Sequence, residues 1–190
     1  MLDLANRRYT SIVDVEPIVH MQERARVLNS EILIRFARDL RPNDLKSGNV
    51  ILLGASTADP WVELFEKDMN FVLQDDYMRE RAVLNRRPLN AEPDNWAFPH
   101  GNTNQEVFGI VAYRPNLDGD GSALILEGPS MSGTEAATDF IMDDSQIVPF
   151  QKQIGSTREH VPHFEVALTT NNLGASAGRP TVLALRKLSE

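Results

Sequence analysis

The stretch that decides the fold runs from residue 125 to residue 141 and reads ILEGPSMSGTEAATDFI. It opens with apolar residues that end a strand, passes through glycine, proline and serine, and continues into a segment with helical propensity. In α/β proteins such a strand–loop–helix connection is a common place for a ligand to bind. The sequence therefore raises a question of function here: the loop is either a binding site or a well-packed corner.

Apolar segments bounded by turn residues predict the strands of a mixed sheet around this stretch. An Asp-Gly-rich link at 116–121 joins two of them, which is typical of a hairpin. The fold class predicted is α/β, a single three-layer domain over residues 1–190, with a mixed, partly parallel sheet and an antiparallel C-terminal hairpin. The predicted strands are 31–37, 49–55, 71–74, 107–115, 122–128, 163–171 and 180–188.

Helices are predicted where a capping residue precedes apolar residues at helical spacing. Asp14 is expected to cap a first helix with Pro17 in its first turn, and Asp59 a second helix with Pro60 at its first position. Two further helices are predicted at 133–143 and near 148–155. Because no convincing strand precedes the first helix, we expect the chain to be a piece of a longer protein.

Residues from about 75 to 106 lack this periodicity, since three prolines and several Asn and Gly residues interrupt them. We predict an irregular excursion that holds a short strand around 81–85, or else a surface flap. Trp96 and Phe98 are expected to pin it to the body of the domain. Long irregular loops are uncommon in compact domains and are often functional.

Composition excludes several classes of function. A net charge of -8 opposes direct nucleic-acid binding, because affinity for phosphates comes mostly from Lys and Arg. No segment approaches the roughly 20 apolar residues of a membrane span. The absence of cysteine excludes disulfides, thiolate nucleophiles and thiolate metal sites. The compartment stays open between a cytoplasmic and an extracytoplasmic location.

The helix after the quoted loop is predicted to begin with a capping box, with Ser132 at the N-cap and Glu135 three residues later. Asp59 occupies the equivalent place after the strand at 49–55. A phosphate at either helix N-terminus would be repelled by these acids. The sequence also lacks the glycine motifs of nucleotide sites, and therefore predicts no nucleotide and no other cofactor.

Two catalytic alternatives arise from the same region. Residues 128–132 nearly match the G-x-S-x-G pattern of serine hydrolases, with Ser130 as the nucleophile, but Ser132 replaces the final glycine. His160 and His163 lie downstream as potential bases. Their HxxH spacing also suggests a metal pair, but Pro162 interrupts the helix that this would need and no third ligand is indicated. We therefore predict no metal site and keep the Ser130 hydrolase as the alternative function.

The preferred candidate is a ligand-binding site that is predicted from the positions of two loops. If the strands at 49–54 and 122–128 are parallel neighbours, the loops 55–59 and 128–133 leave the same edge of the sheet, where open α/β sheets bind ligands. Hydroxyl groups there suit a small neutral or cationic molecule. The predicted ligand-binding residues are Ser56, Thr57, Trp61, Ser130, Ser132 and Thr134.

Segments 49–73, 123–141 and 163–185 together resemble an uncharacterised α/β domain of bacterial proteins. In that family the domain follows a helix-turn-helix region, and sometimes a membrane span, of transcriptional regulators. The marks are the VILLG strand, the step that ends at Trp61 and the GTEAA run at 133–137. The resemblance implies a non-enzymatic domain of a regulatory protein that senses a small ligand or binds protein. A homodimer formed through the apolar first helix is a further hypothesis.

Overall fold

The computed structural model describes residues 12–76, 80–99, 106–172 and 177–188. Three 3-10 helices, Ala37–Asp39, Pro42–Leu45 and Pro60–Val62, lie before and after the first strand. The helices are α1 (Ile12–Val27), α2 (Glu63–Glu66), α3 (Met131–Met142) and α4 (Asp144–Ile154). The strands are β1 (Val50–Leu53), β2 (Phe71–Asp76), β3 (Glu80–Asn85), β4 (Asn95–Pro99), β5 (Glu106–Pro115), β6 (Ser122–Glu127), β7 (Phe164–Asn171) and β8 (Thr181–Lys187).

Five strands form the main sheet in the order β1-β6-β5-β7-β8. β1 pairs with β6 in parallel, whereas the β6–β5, β5–β7 and β7–β8 pairs are antiparallel. The predicted hairpin at 116–121 joins β5 to β6, and the last two strands form the predicted C-terminal hairpin. The mixed sheet and its antiparallel C-terminal end are therefore confirmed.

The two faces of this sheet pack against different layers, because alternate residues of a strand point to opposite faces. Val111 and Leu126 belong to a core cluster that includes Phe140 of α3. Ile110 and Ile125, one position away in each strand, belong to a second cluster. This second cluster includes residues of β2, β3 and the segment 60–66. The central strands are thus buried on both faces, which explains their almost uniformly apolar sequences.

The prediction of an irregular excursion at about 75–106 is wrong for most of its described residues. β2, β3 and β4 form an antiparallel three-stranded sheet of their own. The short strand expected around 81–85 is confirmed as β3. Trp96 on β4 packs against the core cluster that the two sheets share, where its ring centroid lies 5.9 Å from that of Phe71 on β2. The side chain of Phe98 and residues 77–79 and 100–105 lie outside the described part.

The predicted strand at 31–37 is also wrong. This segment pairs with no strand among the described residues and ends in the 3-10 helix at Ala37–Asp39. Leu33 is 70% exposed, so the apolar residues of this segment are not evidence of a buried strand. As a result β1 is an edge strand, and Ile51 within it is 40% exposed rather than fully buried as its sequence suggests.

One of the two predicted caps before α3 is confirmed. Asp59 is the N-cap of the 3-10 helix Pro60–Val62, and its Oδ1 accepts a hydrogen bond from the Trp61 backbone N–H at 3.2 Å. Asp14, in contrast, lies inside the first turn of α1, which already includes Ile12. The expectation that Asp14 caps this helix is therefore wrong, and its carboxylate lies near the positive end of the helix dipole instead.

Candidate functional site

Two strand-to-helix loops leave the main sheet at the same edge. β1 and β6 are adjacent and parallel, and the backbone N–H of Gly54 donates to the Leu126 carbonyl oxygen at 2.9 Å. The loop 54–59 follows β1 and the loop 128–130 follows β6, so both begin at the carboxyl ends of these strands. The arrangement on which the sequence analysis based its ligand site is therefore present.

The corner at the start of α3 differs from its prediction. Ser130, not Ser132, is the N-cap, and its Oγ accepts a hydrogen bond from the Gly133 N–H at 3.2 Å. Glu135 takes no part in this cap, because its Oε2 accepts from the Ala177 N–H at 2.8 Å. The predicted capping box is wrong. The argument that an acid blocks anions at both corners therefore holds only for Asp59.

The predicted binding residues divide between the surface and the interior. Ser56 and Ser130 are half-buried and Thr57 is exposed, so these three hydroxyl-bearing residues lie at the shared edge. Ser132 and Thr134 are buried within the first turn of α3.

Thr134 and Trp61 already use their polar groups inside the protein. The Thr134 Oγ1 donates to the Ser130 carbonyl oxygen at 3.5 Å. The indole N–H of Trp61 donates to the Ala37 carbonyl oxygen at 2.7 Å, while its ring packs against the core. The polar groups of these two side chains therefore form hydrogen bonds within the protein and stabilise the edge.

Three glycines explain how closely the loop after β6 is packed on the helical side of the sheet. A Cβ on Gly109 would lie 2.6 Å from the Gly133 carbonyl oxygen, and one on Gly133 would lie under 3.0 Å from the Phe108 carbonyl oxygen. A Cβ on Gly128 would collide with the backbone of Gly133. On this side, the quoted stretch is a well-packed corner.

The opposite face of the same edge carries a residue that the sequence analysis did not select. Glu127, the last residue of β6, is fully buried. It follows Ile125 by two positions and so shares the face that packs against the three-stranded sheet and the segment 60–66. Neither of its carboxyl oxygens has a hydrogen-bond partner within the described residues. The signal in the sequence was a glutamate at an inward-facing position of an apolar strand.

The surroundings of Glu127 oppose its ionisation. Burial raises its pKa well above the ordinary value, and the negative charges of Glu66 and Glu165 raise it further. Burial also raises the pKa of Glu66, and the charge of Glu63 adds to this effect while Arg86 opposes it. Both effects favour the neutral form of the Glu127 carboxyl group over its ionised form.

Glu165 provides a comparison on the same face of the same sheet. It is equally buried, but its Oε2 accepts hydrogen bonds from the backbone N–H groups of Asn70 at 2.6 Å and Phe71 at 3.1 Å. Its Oε1 pairs with the guanidinium of Arg114. Glu165 therefore ties β2 to the main sheet, a structural role that buried charges fill when they are fully bonded. Glu127 has no such bonds to any described residue.

Asp59, beside the site, makes the stability of the protein depend on pH. Burial raises its pKa to about 6 against the lowering effect of the hydrogen bond from Trp61. The raised pKa means that the folded protein binds this proton more tightly than the unfolded chain does, so protonated Asp59 stabilises the fold. This stabilisation is complete below pH 3.8 and is lost as the pH rises through about 6. The full loss is about 3 kcal/mol, at about 1.4 kcal/mol per pKa unit.

Asp59→Asn removes this charge and keeps an oxygen that caps the helix. We expect the variant to be more stable than the wild type by about 1–3 kcal/mol at pH 7.5 and nearly equal to it at pH 4. Urea unfolding at both pH values measures the difference, with Asp68→Asn, an exposed aspartate after α2, as the baseline. An equal difference at the two pH values would contradict the assignment to Asp59.

The geometry of Ser130 bears on the hydrolase alternative. His160 and His163 precede β7, which runs parallel to β6 because both are antiparallel to β5. They therefore lie at the edge where β6 begins. In the shared register His163 is about four residues, or roughly 13 Å along the strand direction, from the end of β6, with β5 in between. Glu127 bonds to no partner among the described residues, and Glu135 bonds to Ala177. In the part of the chain that the structure describes, none of these candidate bases is hydrogen-bonded to the Ser130 hydroxyl.

Metal binding finds no support in the part of the chain that the structure describes, since no group of three or more His, Asp and Glu side chains there is placed to hold an ion. His163 instead stacks near Tyr113, with ring centroids 5.3 Å apart, in the connection between α4 and β7. Among the same residues, no helix combines the length and the apolar character that crossing a membrane requires.

A scan against models of protein families and searches of curated proteins and solved structures find no match to this chain. The resemblance to a domain of bacterial transcriptional regulators therefore stays a prediction.

Proposed function

We propose that this chain is a non-enzymatic domain that senses a small neutral or cationic ligand on behalf of a bacterial regulatory protein. The observation that carries the proposal is the parallel pair of β1 and β6, whose loops 54–59 and 128–130 leave the same edge of the sheet. This is the position at which open α/β sheets bind ligands. The regulatory context is supported by the resemblance described above.

The polar groups at this edge favour a neutral or cationic ligand over an anion. Ser56, Thr57 and Ser130 offer hydroxyl groups. Asp59 lies in the loop after β1, and its carboxyl group repels an anion once the pH exceeds its pKa of about 6. With a net charge of -8, the chain as a whole also attracts cations.

A screen of neutral and cationic fragments by protein-observed NMR tests this proposal. We expect the hits to shift backbone amide signals of residues 54–59 and 128–130. Thr57→Trp should weaken these hits by about tenfold or more, because the new ring fills the exposed edge. Gln151→Trp, an exposed site on α4, is the control and should bind as the wild type does. Hits that map elsewhere, or no hits at all, would contradict the proposal.

Protein binding is a second candidate, favoured by one observation. The end of α1 and the segment after it expose large apolar side chains, and such patches often mark interaction surfaces. This role ranks second because apolar exposure alone identifies no partner. The exposed residues are Val27, Leu28, Leu33, Ile34 and Phe36.

A further inference from the structure

The end of β6 presents Glu127 to a layer that is different from the one α3 occupies. Val62 and Phe65 belong to the same core cluster as Ile125, so the segment that follows the loop 54–59 covers the Glu127 face. The N-terminus of α3 lies over the opposite face, where Leu126 packs with Phe140. The face that carries Glu127 is therefore covered by the segment 60–66 and by the three-stranded sheet.

From this arrangement we propose that Glu127 is the anchor for a cationic nitrogen, an ammonium or guanidinium group, of the ligand. This inference rests on the proposed function, because it names the chemistry of a ligand bound at the same edge. The nitrogen would lie between the end of β6 and α2, where Glu66 supplies a second carboxylate. Ser56 and Thr57 would lie on the solvent side of the ligand.

Charge balance supports a cation. A carboxyl group that is buried without a partner is unfavourable, and the cost falls when a donor satisfies its oxygens. The two charges that act most on Glu127 after burial are those of Glu66 and Glu165, and both are negative. Glu165 is already bonded to Arg114. Arg86, close to Glu66, donates instead to the carbonyl oxygens of Glu66, Lys67 and Met69.

An ammonium or guanidinium group matches this set of acceptors. It carries several N–H donors, and its charge offsets two neighbouring carboxylates at once. An anion fits poorly, because the negative charges of Glu66 and Glu165 that oppose the ionisation of Glu127 would also repel it, and the N-terminus of α3 lies on the other face of the sheet. A metal ion would need more oxygen ligands than Glu127 and Glu66 supply, in keeping with the lack of a metal-binding group among the described residues.

The proposal predicts a proton signature. Burial and the neighbouring carboxylates favour the protonated form of Glu127, and a bound ammonium stabilises its ionised form. Binding should therefore release up to about one proton per ligand near neutral pH. Because Glu127 is fully buried, the ligand also has to displace part of the structure that covers it, so association should be slower than for an open surface site.

Isothermal titration calorimetry with matched probes tests both points. The cations are ethanolamine, diaminobutane and guanidinium, and their neutral counterparts are ethylene glycol, butanediol and urea. Inorganic phosphate is the anionic probe. Titrations at pH 7.5 in buffers of different ionisation enthalpy give the number of protons released. Two variants accompany the wild type: Glu127→Gln, which keeps the shape of the side chain, and Glu106→Gln, which removes an exposed charge at the start of β5.

We expect at least one cation to bind the wild type and Glu106→Gln with release of protons. The same cation should bind Glu127→Gln at least about tenfold more weakly and without proton release. Glu127→Gln should fold, because glutamine keeps the shape of the side chain and its burial already disfavours a charge there, and its thermal unfolding checks this. Equal binding to wild type and Glu127→Gln would overturn the proposal, as would binding of phosphate at this edge. If neutral probes alone shift the amides of 54–59 and 128–130, the ligand site stands and the cationic anchor fails. If no probe shifts them, both fail.

Discussion

Replacing Gly133 with alanine is expected to destabilise the protein by about 3–5 kcal/mol, in the range of severe core disruptions. Inside an ordinary helix the same change would stabilise it by roughly 0.5–1 kcal/mol. The sign reverses here because the new Cβ would lie under 3.0 Å from the Phe108 carbonyl oxygen of β5. Backbone in a central strand cannot give way as a flexible side chain does. Urea unfolding at fixed pH measures the loss.

Gly155→Ala separates crowding from backbone strain. Gly155 ends α4 with a φ of +81°, and a Cβ added to it would meet no other atom within 4 Å, so its replacement should cost only about 1 kcal/mol. If Gly133→Ala does not fold, Gly109→Ala probes the same contact from β5, with a Cβ 2.6 Å from the Gly133 carbonyl oxygen. A loss no greater than that of Gly155→Ala would show that α3 is not packed on β5 as described.

Local signals in the sequence predicted those elements whose causes are local. Asp59 and Pro60 specify a helix start by hydrogen bonding and a fixed φ, and the structure has that cap. The apolar runs of β5 and β6 and the turn between them specify a hairpin. The segment 31–37 has the composition of a strand, but a strand also needs a partner with free backbone groups. That requirement is non-local, so composition alone led to the wrong prediction.

The predicted N-cap of α3 was wrong for a related reason. Ser130 and Ser132 are both acceptable N-caps, and Glu135 favoured Ser132 by its spacing. The choice is made by the packing of Gly133 against β5 and against Gly128, which places the first helical turn earlier. The distant Ala177 N–H then takes the Glu135 carboxylate. A capping motif read along the chain cannot register either contact.

The candidate site could be predicted only in part. The sequence placed two loops at one edge on the condition that β1 and β6 were parallel neighbours, which they are. It gave no weight to Glu127, because a glutamate at the end of a strand is normally solvated. Its burial follows from the second sheet and α2, which cover that face. The same second sheet was interpreted as an irregular excursion, so the two errors have one cause.

Arg186 of β8 joins the three-stranded sheet to the main sheet. Its guanidinium forms an ion pair with Glu92 and donates to the Asn85 Oδ1 at 3.3 Å and to the Arg87 carbonyl oxygen at 3.0 Å. It also lies over the Phe71 ring, 5.0 Å from the centroid. Because this one side chain bonds several groups of the segment 85–92, it determines how that segment sits on the sheet.

Arg186→Met is expected to cost about 3–5 kcal/mol at pH 7, because it leaves the partly buried Glu92 without its main donor. The hydrogen bond from Arg186 is the largest of the causes that lower the pKa of Glu92 to about 2. A carboxylate with a lowered pKa contributes stability above its ordinary value of 4.5 and loses it as the pH falls through about 2. The wild type should lose up to about 3 kcal/mol over that interval.

The variant should lack most of this acid-dependent loss, so its destabilisation relative to the wild type should shrink as the pH falls from about 4.5 towards 2. Chemical unfolding at a series of pH values measures both slopes. Lys187→Met removes the exposed positive charge next along β8 and should change stability by no more than about 0.5 kcal/mol at any pH. Parallel pH profiles for the wild type and Arg186→Met would mean that Glu92 is held by groups other than Arg186.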